Sequence, residues 1–530
     1  MIANQNRAYY WKSVFDNFST FIVFLPYVAK QCRTKYWKSD ILMKTSNELH
    51  LLVRSMSMSE KRFFKIHSAR HIIGKTNNYM RLFDAIALQD EYHEEEIRKK
   101  FERDIFIRHL PSEKHYLYNH VLESLNSFHK EKTFLSRYSN VLISIEILYN
   151  RGLFGQCRKL ILRSKKEAYS LEKFSILLLL LRWETLIHIK DEDDAKLNRN
   201  ISEELRVLEV MRIQYQLMQI AFNVQIQIDK GNFNPGFMRK AERDLRANLP
   251  IEALHNSFWA KYYYHSTIGL IASVEKKHML RYNSYKEIKR LMDISPQFII
   301  DLPGIYHLNT NNLVSMMLLL KKYNEAGALI RHQRSFMHEN KIKRPALSKL
   351  IFINTNECEI FLLYKTGKFN EASQVVRQIE NEIKKIDFAF SPTLFDLFFF
   401  MAVAELMVKN YKNAARWLNK ILHHEKEIGL RRELQLNARL LYLIVLLESR
   451  DVLFENRMKA AKRFFSKEKK HGVHHKIAEV IRLLADENLR KKNEVQLKKY
   501  SAEIRMELKD ASDEAIYRQF DFSGWIEKEL

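Results

Sequence analysis

Starting at Phe369, apolar residues fall at Ala372, Val375, Val376 and Ile379, offsets 0, 3, 6, 7 and 10. That spacing is one face of a 3.6-residue helix. The same offsets from Tyr411 reach Ala414, Trp417, Leu418 and Ile421. From Tyr323 they reach Ala326, Leu329 and Ile330, with polar Gln333 at the last place. Phe154 is followed in register by Cys157, Leu160 and Ile161, and Tyr285 by Ile288, Leu291 and Met292. Phe454 keeps Ala460, Ala461 and Phe464 but carries Arg457 at offset 3. An apolar stretch precedes each of three anchors: MMLLLKK before Tyr323, EIFLLYKTG before Phe369 and MAVAELMVKN before Tyr411. The predicted unit is therefore helix, tight turn, aromatic residue, helix.

Anchors fall at 154, 233, 285, 323, 369, 411 and 454, with a degenerate unit, HIKDEDDAKL, over 188–197. At Phe233 the following residues are Asn-Pro-Gly. From 323 onward the spacings are 46, 42 and 43 residues. KYNEAGALI (322–330) and KFNEASQVV (368–376) are the best-preserved pair. Asn324 and Asn370 are expected to cap the second helix, and the Glu after each suits a positive helix end. The small Ala326, Ala372 and Ala414 let paired helices approach, while the aromatic fills the gap beside the turn. Gly367 supplies the left-handed residue that ends a first helix. One such hairpin cannot bury its apolar face alone, so neighbours must stack.

Composition supports this class. Gly (12) and Pro (8) are 20 of 530 residues, against a usual ~12%. Folds rich in β-hairpins or βαβ turns need more turn residues than that. The prediction is an all-α fold, an α-solenoid of about eight stacked antiparallel hairpins. YKTGKFNEASQVV (364–376) resembles the turn and second helix of a tetratricopeptide repeat, where Gly, an aromatic two residues on and Ala three later recur. Gly367, Phe369 and Ala372 match residue by residue. Tyr323 with Ala326, and Tyr411 with Ala414, match without the glycine. The period exceeds that family's ~34 residues, and the preceding helices lack its Trp and small-residue positions. The resemblance covers residues 140–470 in outline. It implies a right-handed superhelix of helical hairpins and a protein-interaction role, without catalytic chemistry.

Residues 43–135 have another texture and read as an N-terminal helical module before a repeat array over 136–500 and a capping segment over 501–530. Ser57 and Glu60 form a capping box before Phe63, Phe64 and Ile66. A second helix carries Tyr79, Leu82, Phe83 and Ile86, and EYHEEEIRKKF (91–101) places acids first and bases last. A further helix starts after Pro111 at Ser112, with Leu117, Val121, Leu125 and Phe128 inward. Such short helices could cap the array or form a helix-turn-helix, although the turn lacks a diagnostic glycine. The stretch also resembles the N-terminal part of uncharacterised helical-repeat proteins of Bacteroidetes-type bacteria, a resemblance that implies no activity.

The run FSTFIVFLPYVA (18–29) is too short for a bilayer span, which needs ~20 residues. It lacks a good small-x-small cleavage site. Residues 1–42 read as a leader or adventitious extension, with Met43 as an alternative start. FSILLLLLRWETLIHI (174–189) and LFDLFFFMAVAELMV (394–408) are too short and too charged to span, and read as helices buried on most sides. Three cysteines without a CxxC suit a reducing compartment, hence the cytoplasm.

The net charge is +25. An excess of this size attracts phosphate backbones, anionic lipid or acidic protein partners without choosing among them. Arg457, Lys459, Lys462, Arg463, Lys467, Lys469, Lys470 and Lys476 concentrate it around Phe464 and Phe465, a candidate anion or nucleic-acid patch. The blander alternative is a solvated helix face with Phe464 in the core. No phosphate-loop, dinucleotide, zinc-protease or serine-hydrolase motif occurs. His67 with His71, and His471 with His474 and His475, lack convergent further ligands. Asp191–Asp194 read as a turn plus helix cap. No cofactor, metal or catalytic residue is expected, nor a small-molecule substrate. The reading is a non-catalytic protein- or peptide-binding scaffold, with a nucleic-acid-associated regulator as the alternative.

Overall fold

The computed structural model describes residues 47–69, 78–129, 134–230, 234–248, 257–342, 344–383, 393–423, 432–466, 472–510 and 520–530. The 1–42 leader, His71, Phe233, Lys467, Lys469, Lys470 and His471 lie outside them. The described residues are helical with no strand among them, and they divide into two compact units, 47–204 and 205–530.

The first unit opens with α1 (Glu48–Ser55), α2 (Met58–Ala69), α3 (Asn78–Ala87), α4 (Glu94–Lys100), a 3-10 turn (Ile105–His109) and α5 (Leu110–Phe128). The capping box is present in both directions. Ser57 N–H donates to Glu60 Oε2 at 2.7 Å and Glu60 N–H to Ser57 Oγ at 3.3 Å. Of the three apolar residues α2 carries after the box, Phe64 is fully buried against Phe83, Phe63 is half-buried and Ile66 is exposed. α5 begins at Leu110 and not at Ser112, because Pro111 fits the first helical turn, where no N–H is needed. Lys114, buried in this cluster, reaches Glu94 at 2.6 Å and Tyr92 at 3.1 Å.

Next come α6 (Phe134–Asn150), α7 (Phe154–Ser170), α8 (Phe174–Lys190) and the start of α9 (Asp194–Asp229). Buried Lys165 sits between Glu184 (2.6 Å) and Glu203 (3.0 Å), which links α7, α8 and α9. Asp193 accepts the Lys196 N–H, the cap expected of the acidic loop.

In the second unit, α10 (Pro235–Asn248), α11 (Phe258–Val274), α12 (His278–Asp293) and α13 (Pro296–Asp301) lead into paired helices. The pairs are α14 (Pro303–Leu319) with α15 (Tyr323–Glu339), α16 (Pro345–Lys365) with α17 (Phe369–Ile383), and α18 (Thr393–Met407) with α19 (Tyr411–His423). They continue as α20 (Arg432–Glu448) with α21 (Phe454–Phe465), and α22 (Gly472–Leu484) followed by α23 (Glu487–Lys492), α24 (Glu494–Asp510) and α25 (Phe522–Glu529). Each first helix packs on its own partner and on the next first helix, in the chain α14–α16–α18–α20–α22. This is the stacked-hairpin array. Among the described residues no helix is long and apolar enough to cross a membrane. The greasy 394–406 stretch is buried around nearly its whole circumference because α16, α17, α19 and α20 all pack on it.

The turns correct one expectation. Helix α15 starts at Tyr323 and α17 at Phe369, so Asn324 and Asn370 lie inside the first turn and are not caps. The capping position is Lys322, whose side chain makes no capping bond. The reason is the brevity of the turn. Lys322 N–H donates back to Met317 O at 2.8 Å, Lys368 N–H to Leu363 O at 2.9 Å and Asn410 N–H to Glu405 O at 2.8 Å. One residue thus closes the first helix by a six-to-one bond and leads directly into the second. The residue before it is left-handed: Gly367 at φ 74°, as expected, but also Lys276, Lys321, Lys409 and Arg450 at 53–60°.

Candidate functional site

The repeat residues singled out in the sequence occupy the hairpin seams. Cys157, Ile288, Ala326, Ala372 and Ala414 are fully buried, and Tyr285 and Phe454 nearly so. Phe154, Tyr323, Phe369 and Tyr411 are half-buried, with Gly367 exposed in its turn. In α21 the buried face is Phe454, Met458, Ala461 and Phe465. Phe464 is half-buried and Ala460 exposed, because Arg457 at offset 3 cannot turn inward and the helix face shifts by one residue.

The cations of the basic segment do not share one arrangement. Lys462 pairs with Glu479 at 2.7 Å, and Lys476 with Glu503 (2.6 Å) and Glu507 (2.5 Å). Hydrogen bonds from Arg482 and then Lys462 draw the Glu479 carboxyl down to about 2. Arg457, Lys459 and Arg463 are exposed, Arg457 lying over the Tyr442 ring at 5.6 Å. Arg439 stacks on Phe464 at 3.5 Å, and burial lowers its guanidinium to about 10.

Two further sets of polar residues lie among the first helices. The first is a buried ladder. Asn309 Nδ2 donates to Tyr262 Oη at 3.3 Å, Asn354 Nδ2 to His307 Nε2 at 3.0 Å, and Cys358 Sγ to Asn311 Oδ1 at 3.6 Å. All three pairs are 47 residues apart, so α11, α14 and α16 are locked in one register. His307 is completely buried, and desolvation pushes its imidazole down to about 3, so it is neutral at ordinary pH. Its Nδ1 has no hydrogen-bond partner among the described residues.

The second set lies at the C-terminal ends of first helices α16 and α20. Asp521 N–H donates to Tyr364 Oη at 3.1 Å, across 157 residues of sequence. The Trp525 indole donates to Glu448 Oε1 at 2.8 Å, and Tyr411 Oη donates to Glu448 Oε2 at 3.2 Å. Burial, reinforced by the Glu448 charge, raises the Tyr411 hydroxyl above its ordinary value. Phe520, Phe522 and Ile526 are fully buried in the same apolar cluster, and Trp525 is half-buried. The Asp521 carboxylate caps α25 by accepting the Gly524 N–H at 2.8 Å. A Cβ on Gly524 would meet that carboxylate at 2.4 Å. Arg490 donates to Glu529 O at 2.5 Å, and Arg505 pairs with Glu527. Tyr364, Glu448 and Trp525 escaped the repeat pattern because none recurs at its spacing. The available signal was the aromatic density of FDFSGW (520–525).

No family model matches the chain, and no curated protein does. The Bacteroidetes-type resemblance therefore stands on the sequence alone. Among solved structures the chain is similar to the apo form of the quorum sensor NprR from B. thuringiensis, at 15% identity and a TM-score of 0.40. The match spans 65% of this chain and 96% of that one. So loose a likeness leaves the fold class resting on the chain's own helices: all-α, built from stacked antiparallel hairpins.

Proposed function

We propose that residues 205–530 form a non-catalytic scaffold that binds a protein or peptide segment against the first helices of its hairpins. The observation that carries this reading is the 520–530 segment. It packs on α22 and α24, and the ends of α16 and α20 also hold it by a backbone hydrogen bond and an indole hydrogen bond, with its aromatic rings buried. A surface that grips a short helix in this way has the features of helix-in-groove recognition, where spaced apolar anchors give affinity and a few polar contacts fix register. The test is photo-crosslinking of the full chain in cells, with the reactive group placed in turn at Tyr364 and at Lys420 on α19. A protein adduct at Tyr364 that is absent at Lys420 is the expected result. Adducts only to nucleic acid would sink the reading.

A nucleic-acid-associated role draws support from the net charge of +25 and from exposed Arg457, Lys459 and Arg463. It calls for retention on heparin that falls steeply with salt and drops on replacing those three cations with Gln.

A further inference from the structure

We infer that the surface formed by Tyr364, Tyr411 and Glu448 docks an acidic, aromatic helical segment of a partner protein, and that residues 520–530 occupy it as an internal copy of that ligand. The inference rests on the scaffold reading and names the chemistry of its ligand. Three observations point the same way.

The first is the direction of the hydrogen bonds. The array supplies acceptors, Tyr364 Oη and Glu448 Oε1, and the segment supplies donors, a backbone N–H and an indole N–H. A backbone donor at a helix start is available from any peptide, so Tyr364 reads position. Glu448 accepts a side-chain N–H, here carried on the half-buried Trp525 ring, so this position takes a donor borne on a large apolar group. The carboxylate is oriented for this because Tyr411 holds its other oxygen at 3.2 Å.

The second is charge. Residues 520–530 read FDFSGWIEKEL, with Asp521, Glu527 and Glu529 against Lys528, a formal −2 in a chain of +25. Arg505 pairs with Glu527 and Arg490 holds the Glu529 carbonyl, so basic residues flank the seat. Arg505 and Arg490 favour acidic residues at the C-terminal end of the ligand, while Glu448 takes the aromatic donor before them.

The third is independence from the repeat. The hairpins α16–α17, α18–α19 and α20–α21 close their own turns and pack on one another through their own residues. Helix α25 packs on α22 and α24, and Phe522 and Ile526 are buried in the apolar cluster they share with the hairpins, so its departure uncovers apolar surface but breaks none of the hairpin turns. While it is seated, it competes with an external ligand at the effective concentration of a tethered group, ~mM for short tethers.

The probe is a fluorescein-labelled peptide of residues 520–530, titrated by fluorescence anisotropy into three full-length chains: wild type, Phe522→Ala/Trp525→Ala, and that double variant with Tyr364→Phe/Glu448→Gln added. The double variant should bind the peptide at least ~10-fold more tightly than wild type, since its own segment competes poorly. The added Tyr364→Phe/Glu448→Gln pair should remove that gain, and high salt should weaken binding. Equal affinity of wild type and a double variant of unchanged helicity overturns the inference. Should the double variant lose helicity, amide exchange in the wild-type chain decides. Amides 522–526 exchanging faster than those of 440–446 support it, and equal protection makes the segment fixed core and overturns it. A chain that crosslinks a protein partner at Tyr364 yet fails the peptide test loses this inference and keeps the scaffold reading.

Discussion

Between α14 and α16 the first helices meet through amides, an imidazole and a thiol: His307 with Asn354, Asn311 with Cys358, and Arg334 of α15 reaching Asn356 at 2.7 Å. Helices α18 and α20 also pack on each other, and there Phe398, Phe399, Leu440, Leu441 and Ile444 are fully buried in one apolar cluster, beside a few buried polar residues such as Glu405 and Asn437. The hairpin plan is the same in both places, so the helix pairing does not require either chemistry. Apolar contacts supply more stabilisation per residue and tolerate sliding, because burial is non-directional. A buried amide paired at a fixed 47-residue offset forfeits that tolerance and holds a single register, since a shifted partner would leave a polar group unsatisfied. The apolar half supplies cohesion, and the polar half supplies alignment.

The largest effect that sharpens this contrast is in the apolar half. Trp417 is fully buried and stacked on Phe398 at 5.4 Å. Trp417→Ala should cost about 3–5 kcal/mol in urea unfolding. Its indole N–H has no partner among the described residues, so Trp417→Phe should cost far less. Similar losses for both would mean that the ring's polar edge matters after all.

In the polar half the logic reverses. Asn354→Ala leaves His307 buried without its one partner and should cost about 1–3 kcal/mol. His307→Leu/Asn354→Leu removes both polar groups and should fall close to wild type in the same unfolding assay. If the double variant is as unstable as the single one, packing volume and not polar satisfaction governs this interface.

A pH series tests the same residue. The folded His307 titrates near 3 against an ordinary 6.5, so the unfolded chain binds the extra proton between those values. The stability it contributes is complete above pH 6.5 and is lost as pH falls towards 3, amounting to about 2 kcal/mol at pH 5. Wild type should lose that much more than His307→Leu between pH 7 and pH 5. Parallel profiles would contradict a buried neutral imidazole.

The smallest effect lies in the turns, which are alike in both halves. Lys409 is left-handed at φ 60°, a conformation that disfavours side chains bearing Cβ. Lys409→Gly should stabilise by up to about 1 kcal/mol, read as a raised urea midpoint. A loss instead would show that the lysine contributes through contacts its backbone conceals.

These contrasts explain what was legible in the sequence. The seams were, because Ala326, Ala372 and Ala414 sit at fixed offsets from an aromatic and periodicity reports burial directly. The capping box at Ser57 and Glu60 was, because both partners lie within four residues. The caps at Asn324 and Asn370 were misplaced, because a good capping residue also fits inside a first turn when the turn before it is this short. The left-handed lysines were invisible, since composition assigns that conformation to glycine. The seat of the 520–530 segment depends on Tyr364 and Glu448, brought to it from 157 and 77 residues away, and no local pattern encodes such a meeting.

The six-to-one bonds at the turns before α15, α17 and α19 also bear on the order in which the molecule assembles. A loop closed within a few residues forfeits little chain entropy, so any hairpin can form early and recruit its neighbours, as in other low-contact-order arrays. The bond between Asp521 and Tyr364 closes a loop of 157 residues and must wait for the hairpins it spans. Refolding should therefore run in two acts. Helicity returns first, and the fluorescence change of Trp525 meeting Glu448 follows in a slower phase, which is absent from Trp525→Phe in a stopped-flow trace.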